Sequence, residues 1–315
     1  MNKGRRRIVV GDRLVSLPLF FLLALVSLIT LPASIKGEEK VLVFGRVQRD
    51  PAKAIKDRQP FVDYIARKLA PFGITRGKIL VLDKVSLLGE ALKAGSVDLF
   101  HDTFVPTLIL SRRAGSIPIA RQWRQGLPEY HSVILVGRDS GINDLADLKG
   151  KVIAFDQPHS TSAHILPRML LAEKKLNVVQ VGSPGSVRPD VVGYIHTGDD
   201  NAAHLLISGR ADAAGVSNRD YQDLAPKIQA RFKIIGTTRP IPRLLISVRK
   251  DLDPKIFNGL KEILLNMDRE PEGKAALKSQ QGTTKIDEIP PESREMMKAI
   301  GKFLFSTFAN EINSW

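Results

Sequence analysis

Apolar positions along this chain switch repeatedly between a strand-like run and a helix-like stripe. Residues 40–47, KVLVFGRV, form a short apolar run with one glycine, which predicts a buried first strand. Gln48 to Arg58 reads as a polar loop. In PFVDYIARKL (60–69) the apolar residues fall at Phe61, Tyr64, Ile65 and Leu69, which is the spacing of a helix face. Pro60 opens that helix, where its missing N–H costs little. A strand over Lys78–Leu82, a helix over Lys84–Lys93 stopped by Gly95, and a strand over Val97–His101 follow. Such alternation predicts an α/β fold with a mostly parallel sheet.

The pattern restarts further on. HSVILVGR (131–138) is too short for a helix and rich in β-branched residues, and RLLISVRK (243–250) resembles it. The two are read as strands crossing between lobes. DLADLKGK (144–151) is a short helix ended by Gly150, and KVIAFD (151–156) begins a fresh α/β unit. A helix carrying His204 to Ile207, a small strand over Ala211–Val216, and amphipathic helices within 254–270, 272–281 and 291–313 complete the chain. The organisation implied is two α/β lobes around a cleft, each a mostly parallel sheet flanked by helices. Residues 38–138 plus 244–315 form lobe 1 and residues 139–243 form lobe 2, joined by two crossings. No internal repeat or low-complexity segment is visible.

Composition changes the picture at the N-terminus. Arg5, Arg6 and Arg7 precede an apolar stretch from Leu14 to Leu31, then Pro32, Ala33, Ser34 and Gly37. That is the layout of a secretory signal peptide, cleaved between about Ala33 and Gly37. The stretch is also long enough to stay as a membrane anchor if it is not cut. The chain has no cysteine, which excludes disulfides, a thiolate metal site and a lipid on an N-terminal cysteine. Its formal charge is +14. Six cations and one acid in residues 1–37 supply five of these charges, so the rest of the chain keeps nine. The cations are scattered among acids with few aromatic neighbours, which suits a surface that draws in small anions rather than nucleic acid.

The most informative stretch is FDQPHSTSAHILPRMLL (155–171): strand end, turn, three hydroxyl residues, then an apolar helix. A helix start leaves its first backbone N–H groups unpaired and carries partial positive charge. Ser160, Thr161 and Ser162 add hydroxyl donors, and together these make a socket for a tetrahedral oxyanion at the C-terminal end of a strand. Taken alone, Ser160 is better explained as an ordinary N-cap, and it is the rest of the chain that favours the socket.

In order, the chain carries PFVDYIARKL, ALKAGSVDLF, YHSVILVGRDSGINDLADLKGKVIAFDQPHSTSAHILPRMLL, HTGDDNAAHLLISGRADAAGV, IPRLLISVRKDLDP and REPEGKAAL. This series, over roughly residues 40–290, resembles the solute-binding proteins of phosphate, phosphite and phosphonate ABC importers. These are two-lobed, type II periplasmic binding proteins. The resemblance implies a periplasmic, monomeric protein that binds a small oxyanion and hands it to an ABC permease and its ATPase. It touches the membrane only through its signal segment or the permease, and it needs no cofactor or metal. It assigns the phosphoryl oxygens to Ser160, Thr161 and Ser162, brings His196 into the cleft, and matches Tyr130 to a tyrosine at the start of the crossing strand. Trp123, Arg124, Arg46 and Gln48 are weaker candidates, and His159 and His164 match no family position and are taken as structural.

Three departures from the family pattern bear on the ligand. Asp102, in VDLFHDTFVP, stands where an aromatic residue is expected. Arg219 and Arg243 stand where members that bind aminoalkyl phosphonates place carboxylates, although a one-residue shift would put Asp220 at the first position. Two cations repel an ammonium and attract an oxyanion, which implies a ligand without an amine. Asp102 would accept a proton from P–OH, which sulfate lacks.

The implied mechanism is clamshell closure with hinges near Gly137–Asp139 and Leu245–Val248, and no chemistry. Against an enzyme, the chain lacks G-x-S-x-G and H-E-x-x-H, and its GSPGS segment (182–186) lacks the lysine of a phosphate loop. A sensory module of the same fold, held by an uncut anchor, remains the alternative.

Overall fold

A computed structural model describes residues 40–182, 185, 187–197 and 201–312. The export segment expected over 1–37 lies outside these residues. Among the described residues no helix is long and apolar enough to cross a membrane.

The fold is built on two six-stranded sheets and one two-stranded ribbon. The first sheet comprises β1 (Lys40–Val47), β2 (Ile74–Leu82), β3 (Leu99–Asp102), β4 (Ile117–Arg124), β13 (Leu244–Val248) and β14 (Thr283–Asp287), in the order β14-β4-β13-β3-β1-β2. The second comprises β6 (Ser132–Gly137), β7 (Val152–Phe155), β8 (Val178–Gln180), β9 (Val192–His196), β10 (Ala213–Ser217) and β11 (Phe232–Thr237), in the order β11-β6-β10-β7-β9-β8. Between them β5 (Glu129–Tyr130) pairs antiparallel with β12 (Ile241–Pro242).

Both sheets are mixed: in the second only β6 runs against the other five strands, whereas the first has more antiparallel than parallel pairs. In the first, β1 runs parallel to β2 and β3, but β13 is antiparallel to β3 and β4, and β14 to β4. In the second, β6 is antiparallel to both β10 and β11. The antiparallel pairs involve the strands next to the chain crossings, which enter each sheet from the ribbon side rather than through a crossover helix.

The two look-alike strands lie in different sheets. HSVILVGR supplies β6, wholly in the second sheet, and RLLISVRK supplies β13, in the first. The crossings are therefore the segments 125–131 and 238–243, which contain the ribbon, and not the strands themselves. A boundary at residue 138 falls after β6, although that strand pairs only with second-sheet strands. Gly137–Asp139 and Leu245–Val248, expected as hinges, belong to strand ends and strand interiors.

The first helix also starts earlier than its apolar stripe. α1 (Pro51–Lys68) contains Pro60 in its interior and absorbs the expected loop. Asp50 is its N-cap and accepts from the Lys53 N–H at 3.0 Å, with Pro51 in the first turn, so Asp-Pro is the true start signal. α2 (Val85–Lys93) and α3 (Phe104–Ala114) cover the opposite face of the first sheet, and α8 (Pro254–Asn266) and α9 (Pro271–Ser279) join α1. Each face of each sheet buries its own apolar cluster. α10 (Pro291–Thr307) packs on α3 and β12, and Phe308 beyond its end meets the ring of His164 from the second sheet's side.

Candidate ligand-binding cleft

β7 ends at Phe155, and the chain turns through Asp156–His159 before Ser160 caps a helical segment. Ser160 has extended backbone, and its Oγ accepts from the Ala163 N–H at 3.3 Å. The first turn, Thr161–Ile165, is wound as a π-helix and runs on into α4 (Leu166–Glu173). Such wide turns concentrate at functional sites. Gly215 of β10 sets how closely this turn sits. A Cβ there would lie 2.9 Å from Pro167 Cγ and 3.0 Å from the Phe155 ring.

The segment opens on a cleft of about 350 Å³ between the two sheets. From the first sheet's side come Arg46, Val47, Val85, Asp102, Thr103 and Pro106. From the second come Asp156, Gln157, His159 and the three hydroxyl residues Ser160, Thr161 and Ser162, and Tyr130 comes from the ribbon. The structure thus brings together five of the eight candidate residues.

Their hydroxyls are already engaged. Thr161 Oγ1 accepts from the Val105 N–H at 3.0 Å and donates to Thr103 Oγ1 at 3.2 Å, both on the far side of the cleft. Burial pushes the Tyr130 hydroxyl up to about 12, against the opposing pull of hydrogen bonds with Ser162 and Thr161 and of the nearby Arg243. Tyr130 is therefore a neutral donor at any ordinary pH. Asp102 Oδ1 accepts from the Thr103 N–H at 2.7 Å, which fixes the carboxylate at the cleft wall. Burial raises the Asp156 carboxyl, partly countered by the Ala202 N–H and the Thr197 hydroxyl that donate to it.

The other three candidates stand behind this lining. His196 donates from Nδ1 to the Asp156 carbonyl at 2.5 Å and packs edge-on against His164, with ring centroids 4.7 Å apart. It pairs with Phe155 in the β7–β9 ladder and so braces the turn that follows β7. Arg219, on α6 (Asn218–Gln222), reaches Asp223 and Gln125, both at 3.3 Å. It closes the outside of the crossing. Arg243 lies with its guanidinium 5.3 Å from the Tyr130 ring centroid, one residue away from the lining.

The two histidines expected to be structural divide. His164 is fully buried, donates from Nδ1 to the Pro158 carbonyl at 2.7 Å, and burial pushes it down to about 3. His159 lines the cleft, with burial lowering it from its ordinary value. Arg58 escaped the sequence reading altogether. It is completely buried on α1, beside Arg46 and Asp102. Its place on the Ala54–Phe61–Tyr64 face of α1 was the available signal, since a cation there cannot reach solvent. Among the described residues no cluster of three or more histidines and carboxylates could hold a metal ion.

Comparison with known proteins follows the same lines. Residues 47–293 match the family model described as "ABC transporter, phosphonate, periplasmic substrate-binding protein". The chain is 25% identical over 255 residues to the phosphonates-binding periplasmic protein of Escherichia coli strain K12, covering 78% of this chain and 72% of that one. It is 27% identical over 183 residues to the phosphate-import protein PhnD of Mycolicibacterium smegmatis, covering 55% of this chain and 56% of that one. Among solved structures it resembles XAC2383 from Xanthomonas citri. The chloride-bound form gives 29% identity and a TM-score of 0.78 over 84% of this chain and 98% of that one. The ATP-bound form gives 27% identity and a TM-score of 0.79 over 86% and 99%.

Proposed function

We propose that this chain, which belongs to the phosphonate family of ABC-transporter periplasmic substrate-binding proteins, captures a phosphonate, phosphite or phosphate-type oxyanion that carries no amine. The observation that carries the reading is the meeting of Ser160, Thr161 and Ser162, at a helix start, with Tyr130 and Arg46 in one cleft. Backbone N–H groups and the helix dipole favour a tetrahedral anion there. Each charge-assisted hydrogen bond to it contributes roughly 1.5–3 kcal/mol. The three hydroxyls exchange their present partners for the phosphoryl oxygens, and Tyr130 donates from the ribbon. Asp102 accepts the proton of a P–OH group and thereby rejects sulfate.

Arg243, beside Tyr130, makes this end of the cleft unfavourable for an ammonium group. Burial and Arg124 both lower Arg243, the mark of a cation short of anions. Asp220 is exposed and bears on Tyr130 and Arg243 only through its field. That one ATP-bound and one chloride-bound form of the Xanthomonas citri relative exist fits an anion-seeking cleft.

The two sheets act as the two lobes of a clamshell, and closure turns on the β5–β12 ribbon. The closed form docks on a permease whose ATPase drives import. Isothermal titration with phosphate, phosphite, methylphosphonate, 2-aminoethylphosphonate and sulfate tests the reading. Micromolar or tighter binding of at least one amine-free phosphorus anion, with sulfate silent, is expected. Tightest binding of the amino compound overturns it.

A further inference from the structure

β1, β3 and β4 run in the same sense, and all end at the cleft edge of the first sheet, where antiparallel β13 begins. Those four ends carry Arg46, Asp102, Arg124 and, just before β13, Arg243. Arg58 reaches the same edge from the middle of α1 with none of its surface exposed. Four arginines at one sheet edge need anions, and the protein supplies few.

The shortage shows atom by atom. Arg58 Nη1 donates to the Ala54 carbonyl at 3.4 Å, but its Nε and Nη2 are buried without a partner among the described residues. The same holds for Arg46 Nε, Arg124 Nε and Arg243 Nη1. Burial first, and then Arg46, brings Arg58 down to about 10. His101 lies among these cations and is held well below its ordinary value by burial, Arg46 and Arg58, so it adds no charge of its own. Asp102 is the carboxylate that the first sheet's edge contributes to the cleft, and one of its oxygens is committed to the Thr103 N–H. Elsewhere in the same sheet an arginine is fully matched. Arg121 makes a two-pronged pair with Asp287, at 2.9 and 2.7 Å, and meets Glu129 at 2.8 Å. A buried guanidinium without such a match is costly to the fold, whereas one that meets an incoming anion binds it strongly.

We propose that Arg46, Arg58, Arg124 and Arg243 form a second anion subsite facing the hydroxyl socket, so that the ligand carries two anionic groups. One is the phosphoryl or phosphonyl group at Ser160–Ser162, and the other is an oxyanion, phosphoryl or carboxylate, on the arginines. The inference rests on the oxyanion reading of the socket given above. It also supplies a reason for closure, because one guest then bridges the two sheets and ties each lobe to the other.

Calorimetry on the purified chain with inorganic pyrophosphate, phosphonoacetate and methylphosphonate tests it. At least one two-anion probe should bind about tenfold or more tighter than methylphosphonate. Arg46→Gln and Arg124→Gln, both at half-buried positions, should each reduce that ratio several-fold, with melting curves verifying that the variants fold. Methylphosphonate binding as tightly as both two-anion probes in the unmutated protein overturns the second subsite and leaves the socket standing. A preference that neither variant moves also overturns it. Failure of all three probes to bind overturns the oxyanion reading and this inference with it.

Discussion

The Val105 backbone N–H donates to Thr161 Oγ1 at 3.0 Å, and this bond joins the first helix turn on one side of the cleft to the hydroxyl socket on the other. Val105 lies in the first turn of α3, where N–H groups have no partner within the helix. The N-cap of α3, Thr103, makes no capping bond with its own side chain. A threonine from the second sheet's side does the capping instead, and the cap therefore depends on how the two sheets are apposed.

Thr161→Val keeps the shape of this contact and removes its oxygen. The Val105 N–H loses its acceptor in a buried setting, which costs about 1–3 kcal/mol. Urea unfolding should register a loss of that size, and affinity for methylphosphonate should fall with it. Thr161→Ser keeps the oxygen and should recover most of both. A valine variant as stable as the original chain would show that the interlobe cap carries no weight.

His164 gives the protein a predictable acid limit. Its folded value is pushed down to about 3, first by burial and further by the nearby Arg168 and the neighbouring histidines, while the unfolded chain titrates near the ordinary value of about 6.5. Below pH 6.5 the unfolded state binds a proton that the folded state refuses, so stability falls as pH falls, until about pH 3. One such proton gives a slope of about 1.4 kcal/mol per pH unit. His101, also held far below its ordinary value by burial, adds in the same direction. Urea unfolding measured between pH 7 and 4 should show the slope. His164→Phe, which keeps the aromatic contacts with Phe155 and Phe308, should flatten it by about one proton.

Much of this was legible in the residues, and the misses share a cause. The hydroxyl triplet announced itself because a strand end, a cap and an apolar stripe fall in sequence at 155–171. The strand HSVILVGR was legible as a strand but not as a member of one sheet, since a buried apolar run reads the same in either. The ribbon that joins the sheets has two residues per strand, Glu129–Tyr130 and Ile241–Pro242, too few for any periodicity. Arg58 was passed over because charged residues in a helix usually face water. Its apolar helix face hinted that it does not, and the arrangement of four strand ends and one helix shows where it goes instead. His196 hydrogen-bonds the Asp156 carbonyl through Nδ1, a long-range contact with no signature in sequence.

Gly215 controls the seat of the socket from below. Adding a methyl group at this position brings it against Pro167 and Phe155 at about 3 Å, closer than ordinary packing allows. The π-wound turn that carries Thr161 and Ser162 must then move. Gly215→Ala should cost about 1–3 kcal/mol, the usual penalty of overpacking. It should also weaken oxyanion binding, although the residue touches no part of the cleft. A variant that loses stability but keeps full affinity would mean that the turn adjusts without disturbing its hydroxyls.

Asp102 offers the sharpest test of ligand choice. Its carboxylate lines the cleft and is fixed there by the Thr103 N–H at 2.7 Å. A carboxylate is an acceptor only, so it accommodates an anion that brings a proton and repels one that does not. Hydrogen phosphate and phosphite bring one or can take one, and sulfate cannot. Asp102→Asn replaces the charge by a group that both donates and accepts, in nearly the same volume. Sulfate affinity should then rise relative to phosphate by about tenfold or more, equivalent to roughly 1.4 kcal/mol of relieved repulsion. Competition titration of the two anions on both proteins reads this ratio directly. An unchanged ratio would remove Asp102 from the selectivity of the cleft and leave discrimination to the shape of the socket alone.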